Sequence, residues 1–318
     1  MIFIRIIKKI YRNIKYLIKY FGKYDSIQSL ETKIIKFETV NKGTKNGRKI
    51  DVLLNESTNL GTCADYIIFL AFIEQSIRNN RIPIIDRKTL QNLLINDKNK
   101  TNTWTLFFKQ PYENIDYNNE DDIRRVFVSG DCNYISLSNC NDKDVINYWR
   151  QMALKYASFK PDIKNRLDII LKSYIPTPQK TLGVYIRMGY AQAKWKGHSK
   201  QPSINQIIED IKIRLTEWNL EYVYIVHDVR EVYEEIQKKL PEDKLIHIER
   251  KRPTYNDANI IEKLPFEDMV QREFDYLSEI YCFSKCNSIM GTKCSGVEMA
   301  FLLSNGFEHS YIYELGVY

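Results

Sequence analysis

The sequence has few of the residues that build metal and redox sites. It contains six cysteines and four histidines among 318 residues. No two cysteines form a CxxC pair, and Cys282 with Cys286 alone does not supply the four ligands of a zinc site. We therefore expect a protein without a bound metal or other cofactor. Its cysteines are expected to be the reduced thiols of a cytoplasmic protein.

Several common sequence signatures are also missing. Without GxGxxG there is no dinucleotide-binding fingerprint, without GxxxxGKS or GxxxxGKT there is no P-loop, and without HExxH there is no zincin site. No uninterrupted apolar run approaches the length of about 18 residues that a membrane-spanning helix needs. A cleavage site of small residues is absent as well, so we expect neither a membrane span nor a cleaved signal peptide.

Acidic residues are absent from positions 1–24, where basic residues are frequent. The basic residues there are Arg5, Lys8, Lys9, Arg12, Lys15, Lys19 and Lys23, and they account for the whole net charge of +7. On a helical wheel they share one side, and the large apolar residues share the other. The pattern predicts a basic amphipathic helix lying on an anionic membrane surface, and the alternative is a helix docked on the protein body. Because the remaining residues are neutral overall, nucleic acid is not an expected partner.

The first half of the sequence predicts a β-loop-α-β unit. A strand is expected over 49–54, a polar loop over 55–61, a helix over 65–77 and a second strand over 82–85. A single helix is predicted over 145–173, whereas the polar stretch 96–144 gives no clear pairing. Pro176 and Pro178 indicate a linker. At this length two domains are expected, an N-terminal one over 25–178 and a C-terminal one over 179–318.

Strands and helices alternate through the second half. Strands are predicted over 182–186, 222–226, 245–248, 288–290 and 311–313, and helices over 229–240, 268–283 and 296–303, with a further helix opened by a capping box of Ser203 and Gln206. This order predicts a parallel, Rossmann-like sheet with both faces covered.

Polar residues follow three of these strands, and ligands bind beyond the carboxyl ends of such strands. Arg187 is suited to bidentate phosphate contact, or forms a surface ion pair. His227 and Asp228 contact a ligand, or the histidine is a half-buried structural residue. Residues 291–296 (GTKCSG) lead into a helix whose first N–H groups can bind phosphate, unless Ser295 only caps that helix with Glu298. The loop with Lys194, Trp195, Lys196 and His198 covers a ligand or is simply solvated.

The segments GVYIRMGY at 183–190, YVYIVHD at 222–228 and YLSEIYCFSKCNSIMGTKCSG at 276–296 carry a family resemblance. In order and spacing they resemble the donor-domain motifs of the fucosyltransferase superfamily, which includes the α-1,2-, α-1,6-, protein O- and nodulation fucosyltransferases. NLGTCADYIIFLAFIEQSIRNNRIPIIDRK at 59–88 is similar to that family's opening unit. QPS at 201–203 and the terminal ELGVY look closest to bacterial capsule-locus glycosyltransferases.

The resemblance implies an α/β fold of the GT-B type, with two Rossmann-like domains facing a cleft. It further implies an inverting, metal-independent glycosyltransferase that takes a sugar from a nucleotide diphosphate, such as fucose from GDP-fucose. The acceptor would be a glycan, or a lipid-linked glycan, in bacterial surface polysaccharide assembly. With the basic helix of 1–24, this places the protein in the cytoplasm, peripherally on the inner face of the cell membrane.

Individual residues can be assigned roles, some from the resemblance (Arg187, Asp228, Glu279 and the residues around Ser295) and the others from their places in the predicted loops. The catalytic candidates are Arg187, which would contact the donor diphosphate, and His227. The donor-binding candidates are Tyr185, Asp228, Glu279 (near the base), Thr292, Lys293, Cys294, Ser295 and Gly296, and the candidates in the acceptor or phosphate loop are Gly61, Thr62 and Asp65. Tyr185, Met188 and Tyr190 stand where the family has His, Arg and Asp, so the sequence does not identify the donor sugar.

Two other functions remain open at this point. The same residues fit a catalytically degenerate protein that binds a sugar nucleotide or a glycan, and they fit another Rossmann-type enzyme that modifies sugar nucleotides. The base that would deprotonate an acceptor hydroxyl is also open, with Asp65, Glu74, His198 and His227 as candidates.

Overall fold

The computed structural model of the chain describes residues 26–30, 33–55, 61–87, 102–128, 143–189, 194, 197–255 and 269–318. The predicted amphipathic helix of 1–24 lies outside these residues, as do Tyr190, Trp195 and Lys196. Among the helices that the structure describes, none combines the length and the hydropathy needed to cross a bilayer.

The first half forms a mixed five-stranded sheet with the order β1-β2-β5-β3-β4. Its elements are β1 (Ser26–Leu30), β2 (Lys33–Lys42), β3 (Lys49–Asn55), helix α1 (Thr62–Arg78), β4 (Ile82–Ile85) and β5 (Asp122–Val128), with a 3₁₀ helix at Thr103–Leu106. β3 pairs in parallel with β4 and β5, whereas β2 pairs antiparallel with β1 and β5. The predicted β-loop-α-β unit is therefore confirmed as the β3-α1-β4 part of this sheet.

The prediction of one helix over 145–173 is wrong. Two helices occupy this segment, α2 (Lys143–Tyr156) and α3 (Pro161–Tyr174). Between them Phe159 forms an antiparallel bridge with Phe108, and the Lys160 N–H donates to the Phe107 carbonyl. Pro161 then starts α3, because a proline has no N–H to donate and fits only the first turn. The break thus depends on a partner segment that is distant in the sequence.

The second half forms a parallel five-stranded sheet with the order β10-β9-β6-β7-β8. The strands are β6 (Thr181–Ile186), β7 (Tyr222–His227), β8 (Leu245–Ile246), β9 (Ser288–Thr292) and β10 (Ser310–Tyr313), and the helices are α4 (Ile204–Glu217), α5 (Arg230–Gln237), α6 (Met269–Phe283) and α7 (Ser295–Leu303), with 3₁₀ helices at Pro178–Lys180 and Glu242–Lys244. The Ser203 hydroxyl accepts the Gln206 N–H at the start of α4, as predicted. The α/β class and the parallel sheet are confirmed, although β8 is shorter and β9 longer than predicted.

One hydrophobic cluster extends from the first sheet to the second. It contains buried side chains of α1, α6 and α7 together with residues of both sheets. Phe159 contacts Phe108 at 5.0 Å and Tyr281 of α6 at 6.0 Å between ring centroids. Arg150 of α2 also donates to the Phe301 carbonyl of α7 at 2.9 Å. The two sheets are therefore packed on a shared core, and a second cluster lies between the parallel sheet and α4 and α5.

Gly183 of β6 provides a test of this packing. A Cβ at Gly183 would come within 2.6 Å of the Phe283 ring, and Phe283 is fully buried. We expect Gly183→Ala to lower the free energy of unfolding by about 1–3 kcal/mol, measured by denaturant titration. The control is Gly61→Ala, where an added methyl meets nothing within 4 Å and φ is −73°, and there we expect a loss of at most about 1 kcal/mol. Equal losses in the two variants would contradict the proposed contact.

Candidate functional site

The carboxyl ends of β6, β7 and β9 meet at one edge of the parallel sheet. Ile186 pairs with His227, so the residues that follow, Arg187 and Asp228, leave neighbouring strands side by side. The Gly189 N–H, just after Arg187, donates to Asp228 Oδ2 at 3.1 Å. The structure thus brings together two of the residues predicted at the strand ends.

Strand alternation separates Arg187 from His227. Val223 and Ile225 of β7 pack in the cluster beside α4 and α5, and His227 continues that side of the strand. Tyr185 of β6 belongs to the shared core, and Arg187 continues its side. The two predicted catalytic side chains therefore leave the sheet on opposite faces.

His227 is packed as a structural residue. Its ring stacks on Tyr233 of α5 at 5.7 Å, and its Nδ1 donates to the Val229 carbonyl at 2.8 Å. Burial, aided by Arg252, holds the pKa of His227 well below its usual range, so the ring is neutral. The structure does not support the prediction that His227 acts beside Arg187, because residue alternation turns its ring toward α5.

Asp228 lies beside Arg187 in a buried position. Burial raises its pKa to about 6, although Arg187 and the Gly189 N–H oppose this shift. Its Oδ2 is hydrogen-bonded, whereas Oδ1 is buried without a hydrogen-bond partner in the described part of the chain. Asp228 therefore changes charge near pH 6, within the electrostatic influence of Arg187.

Helix α7 begins at the same edge, and the thiol of its N-cap residue lies next to the first N–H groups of the helix. Its N-cap is Cys294, and Ser295 is already the first helical residue, so the alternative in which Ser295 only caps the helix with Glu298 does not hold. The reason is that β9 extends to Thr292 and moves the cap along the chain. Burial raises the pKa of the Cys294 thiol, and Arg187 and the N–H groups of Val297 and Gly296 oppose this. The start of α7 and Arg187 therefore lie at the ends of the paired strands β9 and β6, near enough for Arg187 to affect the Cys294 thiol.

Two tyrosines lie beneath the start of α7. The hydroxyls of Tyr185 and Tyr276 are 3.0 Å apart, and a Cβ at Gly296 would approach them to 2.8 and 2.9 Å. Only glycine fits at this position without displacing them. Burial raises the pKa of both tyrosines well above the usual value, so both hydroxyls are protonated. The predicted donor residues Tyr185 and Gly296 are therefore adjacent.

The loops around α7 are tied to each other. The buried Thr292 hydroxyl accepts from Gln201 Nε2 at 2.6 Å, and the Lys293 carbonyl accepts from the Ser199 hydroxyl at 2.8 Å. The Tyr318 N–H donates to the His198 carbonyl at 3.0 Å. Burial, followed by Arg187, lowers the pKa of His198. His198 is therefore a neutral ring near Arg187 at neutral pH.

The first sheet contributes the start of α1 to this region. Gly61 is the N-cap, and the Thr62 hydroxyl donates to Glu273 of α6 at 2.8 Å. Asp65 accepts from both Asn55 and Arg87, and burial raises its pKa to about 7 against their opposing effect. Thr62 therefore contacts a helix of the second half of the chain, whereas Asp65 is an anchored residue with both oxygens engaged.

Glu279 and Glu74 are not exposed to a ligand. Glu279 is 0% exposed and accepts from Arg250 Nε at 2.8 Å and from Arg252. Both of its carboxylate oxygens are therefore held by arginines, and its place near the base stays a prediction. Glu74 accepts from Arg78 and Tyr148, about three turns along α1 from Thr62, so it is remote from Arg187.

Sequence analysis missed Glu273, Tyr276, Arg250 and Arg252. The two arginines carried a readable signal, since they follow the predicted third strand in the same way that Arg187 follows the first. Glu273 and Tyr276 carried none, because they lie inside a helix and reach the site only through packing. Among the described residues, no group of three His, Cys, Asp or Glu side chains is placed to hold a metal ion.

No protein family matches the sequence, and no curated protein has a significant sequence match. Among solved structures, the chain is similar to NodZ α-1,6-fucosyltransferase soaked with GDP-fucose, with 10% identity, a TM-score of 0.49 and coverage of 81% of this chain and 93% of that one. It is similar to fucosyltransferase NodZ from Bradyrhizobium, with 9% identity, a TM-score of 0.45 and coverage of 76% of this chain and 88% of that one. It is also similar to POFUT1 in complex with GDP, with 10% identity, a TM-score of 0.39 and coverage of 85% of this chain and 75% of that one. These similarities concern the fold.

The raised pKa of Asp228 predicts a pH dependence of stability. The folded value of about 6 exceeds the unfolded value of about 3.9, so the folded state binds more protons between them. The free energy of unfolding should therefore fall as pH rises from about 4 to about 6, by an amount of the order of 2 kcal/mol, and then level off.

Asp228→Asn should lack this contribution. The measurement is the difference between wild-type and variant unfolding free energies from about pH 4 to about pH 8, in which Asp65 and other shared groups cancel. If the unfolding free energies of the wild type and Asp228→Asn changed in parallel with pH, the pKa of Asp228 would not be raised in the folded protein.

Proposed function

We propose that this chain is a glycosyltransferase that uses a nucleotide diphosphate sugar and transfers the sugar to a glycan. One observation carries the proposal. Arg187 follows β6 and the start of α7 follows the neighbouring strand β9, so both lie at the carboxyl edge of the parallel sheet. A guanidinium and helix N-terminal N–H groups together suit a phosphate. The family resemblance of the sequence motifs adds independent support.

The chemistry follows from this arrangement. In an inverting transfer the acceptor oxygen forms a bond to the anomeric carbon while the bond to the diphosphate oxygen breaks. Arg187 and the N–H groups of α7 would stabilise the negative charge on the departing nucleotide, and no metal ion is needed for that. The acceptor proton must pass to a base, and its recipient has to be neutral or anionic and close to the site.

Of the four base candidates from the sequence, His198 fits best. Asp65 and Glu74 form ion pairs with Arg87 and Arg78, and the His227 ring leaves the sheet on the face opposite Arg187. The loop that holds His198 is tied to the start of α7 by the Ser199 hydroxyl, which donates to the Lys293 carbonyl, and burial and Arg187 lower the pKa of His198, so its ring is neutral at neutral pH. We assign it the role of base in this proposal.

The donor, the acceptor and the location are proposals at a finer level. The resemblance favours GDP-fucose as the first donor to test. The acceptor would lie against the start of α1, where the Thr62 hydroxyl donates to Glu273 of α6. Contact with an anionic membrane and a role in surface polysaccharide assembly rest on the sequence of 1–24 and on the capsule-locus resemblance.

A degenerate binding protein is the second candidate. It is favoured by Met188, which stands where the family has its second arginine and is buried in the cluster beside α4 and α5. This alternative predicts binding of a sugar nucleotide without turnover.

A panel of GDP-, UDP-, CMP- and dTDP-sugars tests the proposal. We expect one donor to raise the melting temperature and to be turned over in the presence of a glycan acceptor. Arg187→Ala should lower kcat by about 100–1,000-fold, because a charge-stabilising donor is lost. Arg78→Ala, which removes a largely exposed arginine of α1, should leave kcat unchanged. Binding without turnover would favour the degenerate protein, and no binding of any donor would contradict both candidates.

Donor affinity should depend on pH through Asp228. Its carboxylate would repel the diphosphate, so affinity should increase as pH falls through about 6. A nucleotide sugar has no phosphate monoester group, whose second pKa is about 6, so the ligand itself does not titrate in this range. Asp228→Asn should bind more tightly at about pH 7.5 and lose this pH dependence. Calorimetry on the wild type, Asp228→Asn and the control His198→Gln measures this, and an unchanged profile in Asp228→Asn would assign the effect to another group.

A further inference from the structure

Three charged side chains form a buried group next to the proposed donor site. Glu279 of α6 accepts from Arg250 Nε at 2.8 Å and also from Arg252. The exposed fractions of the three side chains are 0% for Glu279, 4% for Arg252 and 15% for Arg250. The group holds one negative and two positive charges. A buried excess charge is unfavourable unless an anion approaches it.

The two arginines are used differently. Arg252 donates to the carbonyls of His227, Arg250 and Ile248 as well as to Glu279, so its guanidinium holds the strand-end loops. Arg250 makes one side-chain hydrogen bond within the described part of the chain, from Nε to Glu279. Its other two nitrogens carry donors, and it is the more exposed of the pair. Arg250 is therefore the arginine that can bind a ligand.

Arg250 also lies next to the tyrosine pair. Glu279 and Tyr276 are three residues apart on α6, so they share one face of the helix on adjacent turns. The Tyr276 hydroxyl contacts Tyr185 beneath Gly296, where Arg187 also acts. The pKa of Arg250 reflects this neighbourhood, since burial lowers it and Glu279, Tyr276 and Tyr185 together raise it above its usual value.

We propose that Arg250 is a second cation of the donor site and binds the diphosphate together with Arg187 and the start of α7. This inference rests on the proposed function. A diphosphate presents two charged phosphates, and Arg187 with one helix start matches only part of that charge. Met188 is buried in the core and supplies no cation. Arg250 would restore the missing charge from a different strand end, with Glu279 as the residue that positions it.

Arg250→Met tests the proposal. Arg252 still neutralises Glu279 in this variant, so we expect it to fold, and its melting temperature is measured first. Binding of the donor identified in the panel and of inorganic pyrophosphate should weaken by about 10–100-fold, the value of a hydrogen bond to a charged group. Binding of the corresponding nucleoside, which has no phosphate, should be unchanged.

Two further variants complete the experiment. Arg250→Lys keeps the charge and should retain affinity within about tenfold of the wild type. Lys251→Met removes an exposed charge from the next position of the same loop and should have no effect. Wild-type affinity for pyrophosphate in a folded Arg250→Met protein would overturn the proposal. Equal weakening of nucleoside and diphosphate would overturn it too, because the contact would then not be to phosphate.

The pyrophosphate arm separates this inference from the proposed function. Pyrophosphate binding that depends on Arg250, without turnover of any nucleotide sugar, would support the anion site and contradict the transferase. Turnover of a nucleotide sugar that is unchanged in Arg250→Met would support the transferase and contradict the role of Arg250. No binding of pyrophosphate or of any donor to the wild type would overturn both.

Discussion

The candidate site depends on one close contact, that of Gly296 with the hydroxyls of Tyr185 and Tyr276. This contact joins the start of α7 to β6 and to α6, which come from separate parts of the sequence. Without it the first turn of α7 could not lie beside Arg187. A Cβ at position 296 would collide with both hydroxyls and push the three elements apart. The close packing at the candidate anion site therefore requires glycine at this position.

Burial determines which charges remain in this crevice. The Cys294 thiol and the tyrosine hydroxyls stay protonated because burial raises their pKa values, and His198 stays neutral because burial lowers its pKa. Asp228 loses its proton as the pH rises through about 6, because burial raises its pKa to that value. Arginine keeps its charge in nearly all protein environments. Below about pH 6 this region therefore presents mainly positive charge to a ligand, and above that pH the Asp228 carboxylate offsets part of the charge.

The sequence predicted most of the second half because buried strands bounded by turn residues alternate there with helices, and the same rule located Arg187 and Asp228. It failed where a distant segment decides the local structure. The pairing of Phe159 with Phe108 breaks the predicted helix. Glu279 resembled a ligand-binding acid, but arginines that precede it by more than 25 residues cover it, and nothing in its own neighbourhood shows this.

The core shared by the two sheets has a mechanical consequence. In a protein whose halves have separate cores, substrates can enter by hinge opening between the halves. Here a hinge motion would expose apolar side chains of α1, α6 and α7 to water. Exposing about 400 Å² of such surface costs about 10 kcal/mol, at about 25 cal/mol per Å². A wide hinge opening would therefore be rare on the timescale of turnover. Ligands would enter and leave through local movements of rim loops such as 197–200.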